Sequence, residues 1–317
     1  SESMIVLKSL DGWAFGKKYK CSMNLQQVFR GTGIAIITPF HTDGTIDWDS
    51  FKRCLDFWIV GGVEYLVVMG TTGESATIHG EEKQEVFSFV QQYTAGRIPL
   101  VAGIGGNDTK EVIHALTHYD LTGYAAILSV SPFYNKPNQE GIFQHYKQID
   151  QHTPLPVIMY NVPGRTGQSI QATTQLRIAR ECPSIFATKE ASGNMELIMQ
   201  LLRDKPNDFM VISGDDPITL PLIAAGAVGV ISVVANAFPK DFSEMIRLCL
   251  TGDFEKARPL HYKYLEITAA LFAEGSPAGI KAVLAEMGLC QNAFRMPVWP
   301  VSEKHQAYIK GLLQQLK

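Results

Sequence analysis

The sequence predicts a TIM (β/α)8 barrel, an α/β fold, followed by additional C-terminal helices. Three observations lead there. Short β-branched runs alternate with amphipathic helical stretches at a spacing of about 25 to 30 residues. Eight such runs can be counted and each precedes a helix, an order that closes naturally into a barrel. The Gly-x-Gly-x-x-Gly turn that an open, doubly wound sheet would carry after its first strand is absent. At 317 residues, with 46% hydrophobic and 19% charged side chains, the chain has the apolar material for one large core.

Residues 1–22 (SESMIVLKSLDGWAFGKKYKCS) contain basic and apolar residues but no apolar h-region followed by a small-residue cleavage site. They read as a leader or an over-long start outside the fold, with Met23 just before the first strand-like run. Residues 23–250 then hold the barrel. Its strands are expected at Gly33 to Thr38, Tyr65 to Met69, Leu100 to Ile104, Ala125 to Val130, Val157 to Tyr160, Ile185 to Lys189, Met210 to Ser213 and Val228 to Val233. The helices between them are expected at Trp48 to Val60, Gly80 to Tyr93, Thr109 to Asp120, Gln139 to His152, Ala172 to Glu181, Met195 to Arg203, Pro217 to Ala225 and Asp241 to Leu250. Residues 251–317 read as a helical region packed on the barrel or on a neighbouring subunit, with apolar periodicity over Phe254 to Phe272, Ala278 to Met287 and Tyr308 to Leu316.

In a barrel, chemistry belongs to the carboxyl ends of the strands. Lys189 ends the sixth. A lysine stem in a barrel mouth is partly desolvated, which favours the neutral amine that attacks a carbonyl; a lysine snorkelling to solvent fits the position equally well. After the fifth strand comes YNVPGRTG, with Tyr160 able to relay a proton and Arg165 offering a planar fork for a carboxylate. Turn chemistry accounts for Pro163 and Gly164 but leaves the arginine unexplained. After the second strand, Gly70-Thr71-Thr72-Gly73-Glu74-Ser75 supplies hydroxyls and backbone N–H groups suited to a small carboxylate, although such a loop is also common without a ligand. After the fourth, Ser131-Pro132-Phe133-Tyr134-Asn135-Lys136-Pro137 holds an aromatic pair on a stiff loop, fitting either an interface or core packing of Phe133.

The composition excludes other classes. A net charge of −3 without a dense basic run gives no footprint for nucleic acid. Cys21, Cys54, Cys182, Cys249 and Cys290 are scattered and odd in number, indicating neither a disulfide framework nor a metal site, and fit a reducing cytoplasm. The longest apolar stretch, Ala224 to Phe238, is interrupted by Gly and Asn and falls short of a membrane span.

The stretches GTTGES, SPFYNKP, YNVPGRTG, TKEASG, SGDD and GVISV, in this order and spacing, resemble the dihydrodipicolinate synthase and N-acetylneuraminate lyase superfamily, nearest its synthase branch. The likeness runs from about Gly33 to the C-terminal helices. It implies a class I aldolase-type lyase without metal or cofactor, in which Lys189 forms a Schiff base with pyruvate. It further implies Tyr160 as proton shuttle, Thr72 linking it to Tyr134 of an adjacent subunit, and Thr71 on the pyruvate carboxylate. Arg165 would hold the carboxylate of L-aspartate 4-semialdehyde, with Gly214 and Ile231 at backbone positions of the same pocket. The pathway implied is lysine and diaminopimelate biosynthesis, and the assembly a dimer or a tetramer built as a dimer of dimers. Asn107 and Glu111 match an allosteric lysine site, but Lys83 and Gly80 stand where inhibited members usually carry histidine, so lysine inhibition is not expected. Two rivals remain at this point. One is an aldolase for N-acetylneuraminate or a 2-keto-3-deoxy sugar acid, against which Arg165 argues; the other is a non-catalytic barrel that binds a keto acid.

Overall fold

The structure, a computed structural model, describes residues 24–316. The expected leader over 1–22, with Met23 and Cys21, lies outside the described residues. Eight parallel strands, β1 (Gly31–Ala35), β2 (Tyr65–Val68), β3 (Leu100–Gly103), β4 (Ala126–Val130), β5 (Val157–Asn161), β6 (Ile185–Glu190), β7 (Met210–Ser213) and β8 (Gly229–Ser232), pair in chain order and close through β8 on β1. The barrel expected from the alternation is therefore present. Its helices are α1 (Trp48–Val60), α2 (Gly80–Thr94), α3 (Thr109–His118), α4 (Gln139–His152), α5 (Ala172–Glu181), α6 (Met195–Asp204), α7 (Thr219–Ala225) and α8 (Pro239–Leu250). Four of their N-termini are fixed by side-chain caps, from Asp47, Asp108, Asn138 and Asn194, which accept from backbone N–H groups of the first turn.

Two apolar layers sandwich the strands. Val157, Met159 and Ile185 face the helices, whereas Ile158, Tyr160 and Ala187 face the barrel interior. The floor is an aromatic plug in which Phe29, delivered by the single helical turn Leu25–Val28, packs edge-on against Tyr65 at 5.0 Å and lies 5.4 Å from Phe186. Gly33 makes room for the plug: a Cβ there would stand 2.2 Å from the Tyr65 ring.

One irregularity decides the site. Val157 pairs with Ile185, but Ile158 pairs with Ala187, so β6 holds one more residue than β5 over the same length. This bulge brings Lys189 opposite Tyr160, with both side chains inward. Thr188 is turned outward, where its hydroxyl bonds Gln175 Oε1 of α5 at 2.9 Å.

After α8 come α9 (Phe254–Lys263), α10 (Leu265–Ala273), α11 (Ala278–Glu286) and α12 (Glu303–Gln315). The single helix expected over Phe254 to Phe272 is broken at Tyr264, whose φ of −101° and ψ of 0° leave the helical region and whose hydroxyl bonds Asp241 of α8. The last helix starts at Glu303 rather than Tyr308, because Ser302 caps it by accepting from His305 N at 3.2 Å. No helix among the described residues is long and apolar enough to cross a membrane.

Candidate active site

A cavity of about 500 Å³ opens at the carboxyl ends of the strands. Lys189 and Tyr160 form its base; they are 5% and 7% exposed, and Lys189 Nζ lies 4.2 Å from the centroid of the Tyr160 ring. Thr71 and Thr72 enter the wall from the turn after β2. That turn is tied internally, Gly73 N donating to Gly70 O at 3.1 Å and Glu74 N to Thr71 O at 3.0 Å, and externally by Thr38 Oγ1, which donates to Gly73 O at 2.7 Å. Arg165 stands at the rim on the helical turn Pro163–Thr166, its Nη2 donating to Ser276 O at 3.1 Å.

Gly214, just after β7, is the other wall. Its N–H donates to Glu190 O at 2.8 Å, and an added Cβ would meet Lys189 Cε at 2.9 Å and Ala191 Cβ at 2.8 Å. Only a hydrogen leaves the lysine stem its path. Ile231 is buried in the barrel interior on β8 and is not among the residues lining the cavity.

Tyr134 does not reach this cavity within its own chain. It is 88% exposed, with a left-handed φ of 71°. Its loop is clasped from α3's side: Asn107 Nδ2 donates to Phe133 O at 3.0 Å, and Asn135 Nδ2 donates back to Asn107 O at 2.8 Å. Phe133 is 39% exposed, so the core-packing alternative for it does not hold. Glu111 is exposed in the first turn of α3, and Lys83 lies half-buried with Nζ 6.0 Å from the Tyr119 ring centroid. Burial lowers the Lys83 pKa. None of Asn107, Glu111 and Lys83 lines the cavity.

The sequence reading assigned no role to two carboxylates of the SGDD stretch. Asp215 and Asp216 both line the cavity. Asp216 Oδ2 accepts from Val233 N and Val234 N, each at 3.0 Å, while Oδ1 is buried without a partner. Burial pushes both carboxyls up, and for Asp216 the hydrogen bonds it accepts, more than the nearby Lys189 charge, pull partly back. The signal was present, since two adjacent acids at a strand's carboxyl end are unusual in a packed scaffold. Leu265, Thr268 and Phe272 of α10 form the roof, a contribution from the C-terminal region that no motif announced. Behind β6, Glu190 faces the helices, accepts from Asn161 Nδ2 at 2.7 and 3.1 Å, and is pushed by burial to about 7 against the donors around it.

A buried amine beside a phenol, hydroxyls and amides opposite, and a guanidinium at the rim make a cavity able to form an imine with a small keto acid and to move protons there. Comparison with known proteins agrees with this chemistry. The sequence pattern of the Dihydrodipicolinate synthetase family matches residues 28–316. The 4-hydroxy-tetrahydrodipicolinate synthase of Parabacteroides distasonis is 48% identical over 90% of this chain and 97% of its own. The crystal structure of dihydrodipicolinate synthase from Aquifex aeolicus superposes with a TM-score of 0.88 at 38% identity, covering 90% of this chain and 98% of that one. A structure described as the first monomeric dihydrodipicolinate synthase variant gives a TM-score of 0.89 at 38% identity, covering 92% and 98%.

Proposed function

The chain belongs to the dihydrodipicolinate synthetase family, and from that premise we propose that it condenses pyruvate with L-aspartate 4-semialdehyde through a Schiff base on Lys189. The observation that carries this reading is the register of β5 and β6, which sets Lys189 against Tyr160 at the base of one cavity. Lys189 Nζ adds to the keto carbon of pyruvate, water leaves, and the iminium makes the methyl group acidic. A methyl proton is lost, and the resulting enamine carbon bonds the aldehyde carbon of the second substrate, whose oxygen takes a proton and becomes a hydroxyl. The amine of that substrate then adds to the former keto carbon and displaces Lys189, giving 4-hydroxy-tetrahydrodipicolinate.

Each proton movement occurs within reach of the Tyr160 phenol, buried beside the amine. Thr71 and Thr72 suit the pyruvate carboxylate, and Arg165 suits the carboxylate of the semialdehyde. The ammonium group of that substrate finds complementary charge in Asp215 and Asp216. A sugar aldehyde has no carboxylate to meet Arg165, which favours the synthase over a sugar-acid aldolase. Tyr134, exposed on a clasped loop, completes the relay through Thr72 in a neighbouring copy, making the working unit a homodimer or a tetramer of two such dimers. The cytoplasm, where both substrates are metabolites, is its place of action.

The test is intact-mass spectrometry after incubation with pyruvate and borohydride. The parent is expected to gain one reduced pyruvate adduct and Lys189→Ala none. An unmodified parent overturns the Schiff-base mechanism.

A further inference from the structure

Glu74 follows Thr71 and Thr72 in the turn after β2, yet its carboxylate points away from the cavity and is buried, 4% exposed. Its partner is Lys281 of α11, a lysine with no exposed surface, 207 residues further along the chain. The same ammonium donates to Ala293 O at 3.0 Å and lies 4.3 Å from the centroid of the Phe40 ring. The second carboxylate oxygen of Glu74 accepts from Arg295 N at 3.2 Å. The carboxylate is therefore held from α11 and from the segment beyond it.

Three facts make this more than a packing contact. Glu74 has a φ of 55°, a left-handed conformation that a residue with a Cβ avoids unless its surroundings impose it. Its backbone N–H closes the turn onto Thr71 O, so the placement of Glu74 sets the placement of both threonines. Burying two charges is unfavourable compared with an apolar pair of the same volume, so stability alone does not explain the pair; charge-assisted bonds fix direction, which apolar contact does not.

We infer that Lys281 and Glu74 are positioning residues for the reaction, by which the C-terminal region holds the Thr71–Thr72 turn in the geometry that receives pyruvate. The inference rests on the pyruvate role of that turn in the function proposed above.

The experiment compares parent, E74L/K281M and E74Q in melting temperature and in steady-state kinetics with pyruvate and the semialdehyde. E74L/K281M replaces the pair by apolar side chains of similar size, an exchange usually neutral or favourable for stability. It is expected to melt close to the parent while kcat falls about 10–100-fold, the scale set by a small misplacement of substrate-holding groups. The KM for pyruvate rises and that for the semialdehyde stays, because Arg165 is held by Ser276 O, a bond in which neither Glu74 nor Lys281 takes part. A folded E74L/K281M with the parent's kcat and pyruvate KM overturns the inference. Should that variant not fold, E74Q decides: it keeps one acceptor oxygen for two donors and is expected to show the same split at smaller amplitude, and parent kinetics overturn the inference. A parent that gives no borohydride adduct with pyruvate removes the functional reading, a result separable from either kinetic outcome.

Discussion

Replacing Gly214 by alanine separates the placement of the nucleophile from the integrity of the barrel. The backbone there is outside the left-handed region, so alanine adopts it without strain. The added Cβ lies 2.9 Å from Lys189 Cε, 3.0 Å from Lys189 Cγ and 2.8 Å from Ala191 Cβ. Ordinary carbon contact needs about 3.5–4.0 Å, so something must move by roughly 0.6–1 Å. The backbone of Gly214 is tied to Glu190 O at 2.8 Å and has little room to retreat. The end of the lysine stem is the softest neighbour, and it carries the reacting nitrogen. The stability cost is thus expected at the low end of overpacking, about 1 kcal/mol. The rate of imine formation is expected to fall far more, about 10–100-fold, because displacement of a reacting group by this distance is costly. Timed borohydride quenching of the pyruvate adduct reads the first quantity that matters, and a melting curve reads the second. A Gly214→Ala protein that forms adduct at the parent's rate, or that loses rate only in proportion to lost folded protein, refutes the reasoning.

Further outcomes follow from other contacts. Glu190, raised from the ordinary 4.5 to about 7, holds its proton in the folded state where the unfolded chain loses it. Its favourable contribution is full below about pH 4.5 and disappears as pH rises through 7, a change of about 3 kcal/mol; melting temperature of the parent is expected to fall across that window more steeply than that of E190Q, and equal slopes would refute the assignment. Mixing inactive Y134F with inactive K189A is expected to restore activity after subunit exchange, because one shared site then has both a lysine and a tyrosine; no recovery in a verified hetero-oligomer removes Tyr134 from the relay. L-lysine at millimolar concentration is expected to leave initial rates unchanged, since Lys83 stands where the resemblance implies a histidine in lysine-inhibited members, and strong inhibition would sink this. D216N is expected to lower kcat with little change in melting temperature, because Asn still accepts from Val233 N and Val234 N but lacks the charge beside Lys189; unchanged kcat would show that charge to be idle.

The repeated strand–helix alternation was legible because both periodicities are local, and α1, α4 and α5 start and stop where their apolar patterns do. The break at Tyr264 was not, since it depends on a tertiary bond to Asp241. Lys189, Tyr160, Thr71, Thr72 and Arg165 could be found because strand ends were the right place to look. Their convergence could not: the pairing of Tyr160 with Lys189 rests on a bulge within Ile185–Ala187 that no turn residue marks. Lys281 was invisible for a related reason, as a lysine in an apolar helix reads as a surface residue until its distant acidic partner is known.

That bulge makes the nucleophile a matter of parity. Along a strand, inward and outward positions alternate, so the facing of Lys189 is fixed by whether the number of residues between it and the start of the pairing is odd or even. Substitutions over residues 185–188 leave that count untouched, however much they change packing. Removal of the one extra residue between Ile185 and Ala187 would erase the bulge and leave Lys189 opposite Tyr160 in plain alternation, whereas closing the bulge with every residue kept would set Lys189 opposite Asn161 and turn the amine toward the helices. Insertions and deletions in β6 are therefore constrained by an integer, and a homologue in this family whose β6 lacks that one extra residue should be expected to keep its reactive lysine inward with no bulge at all.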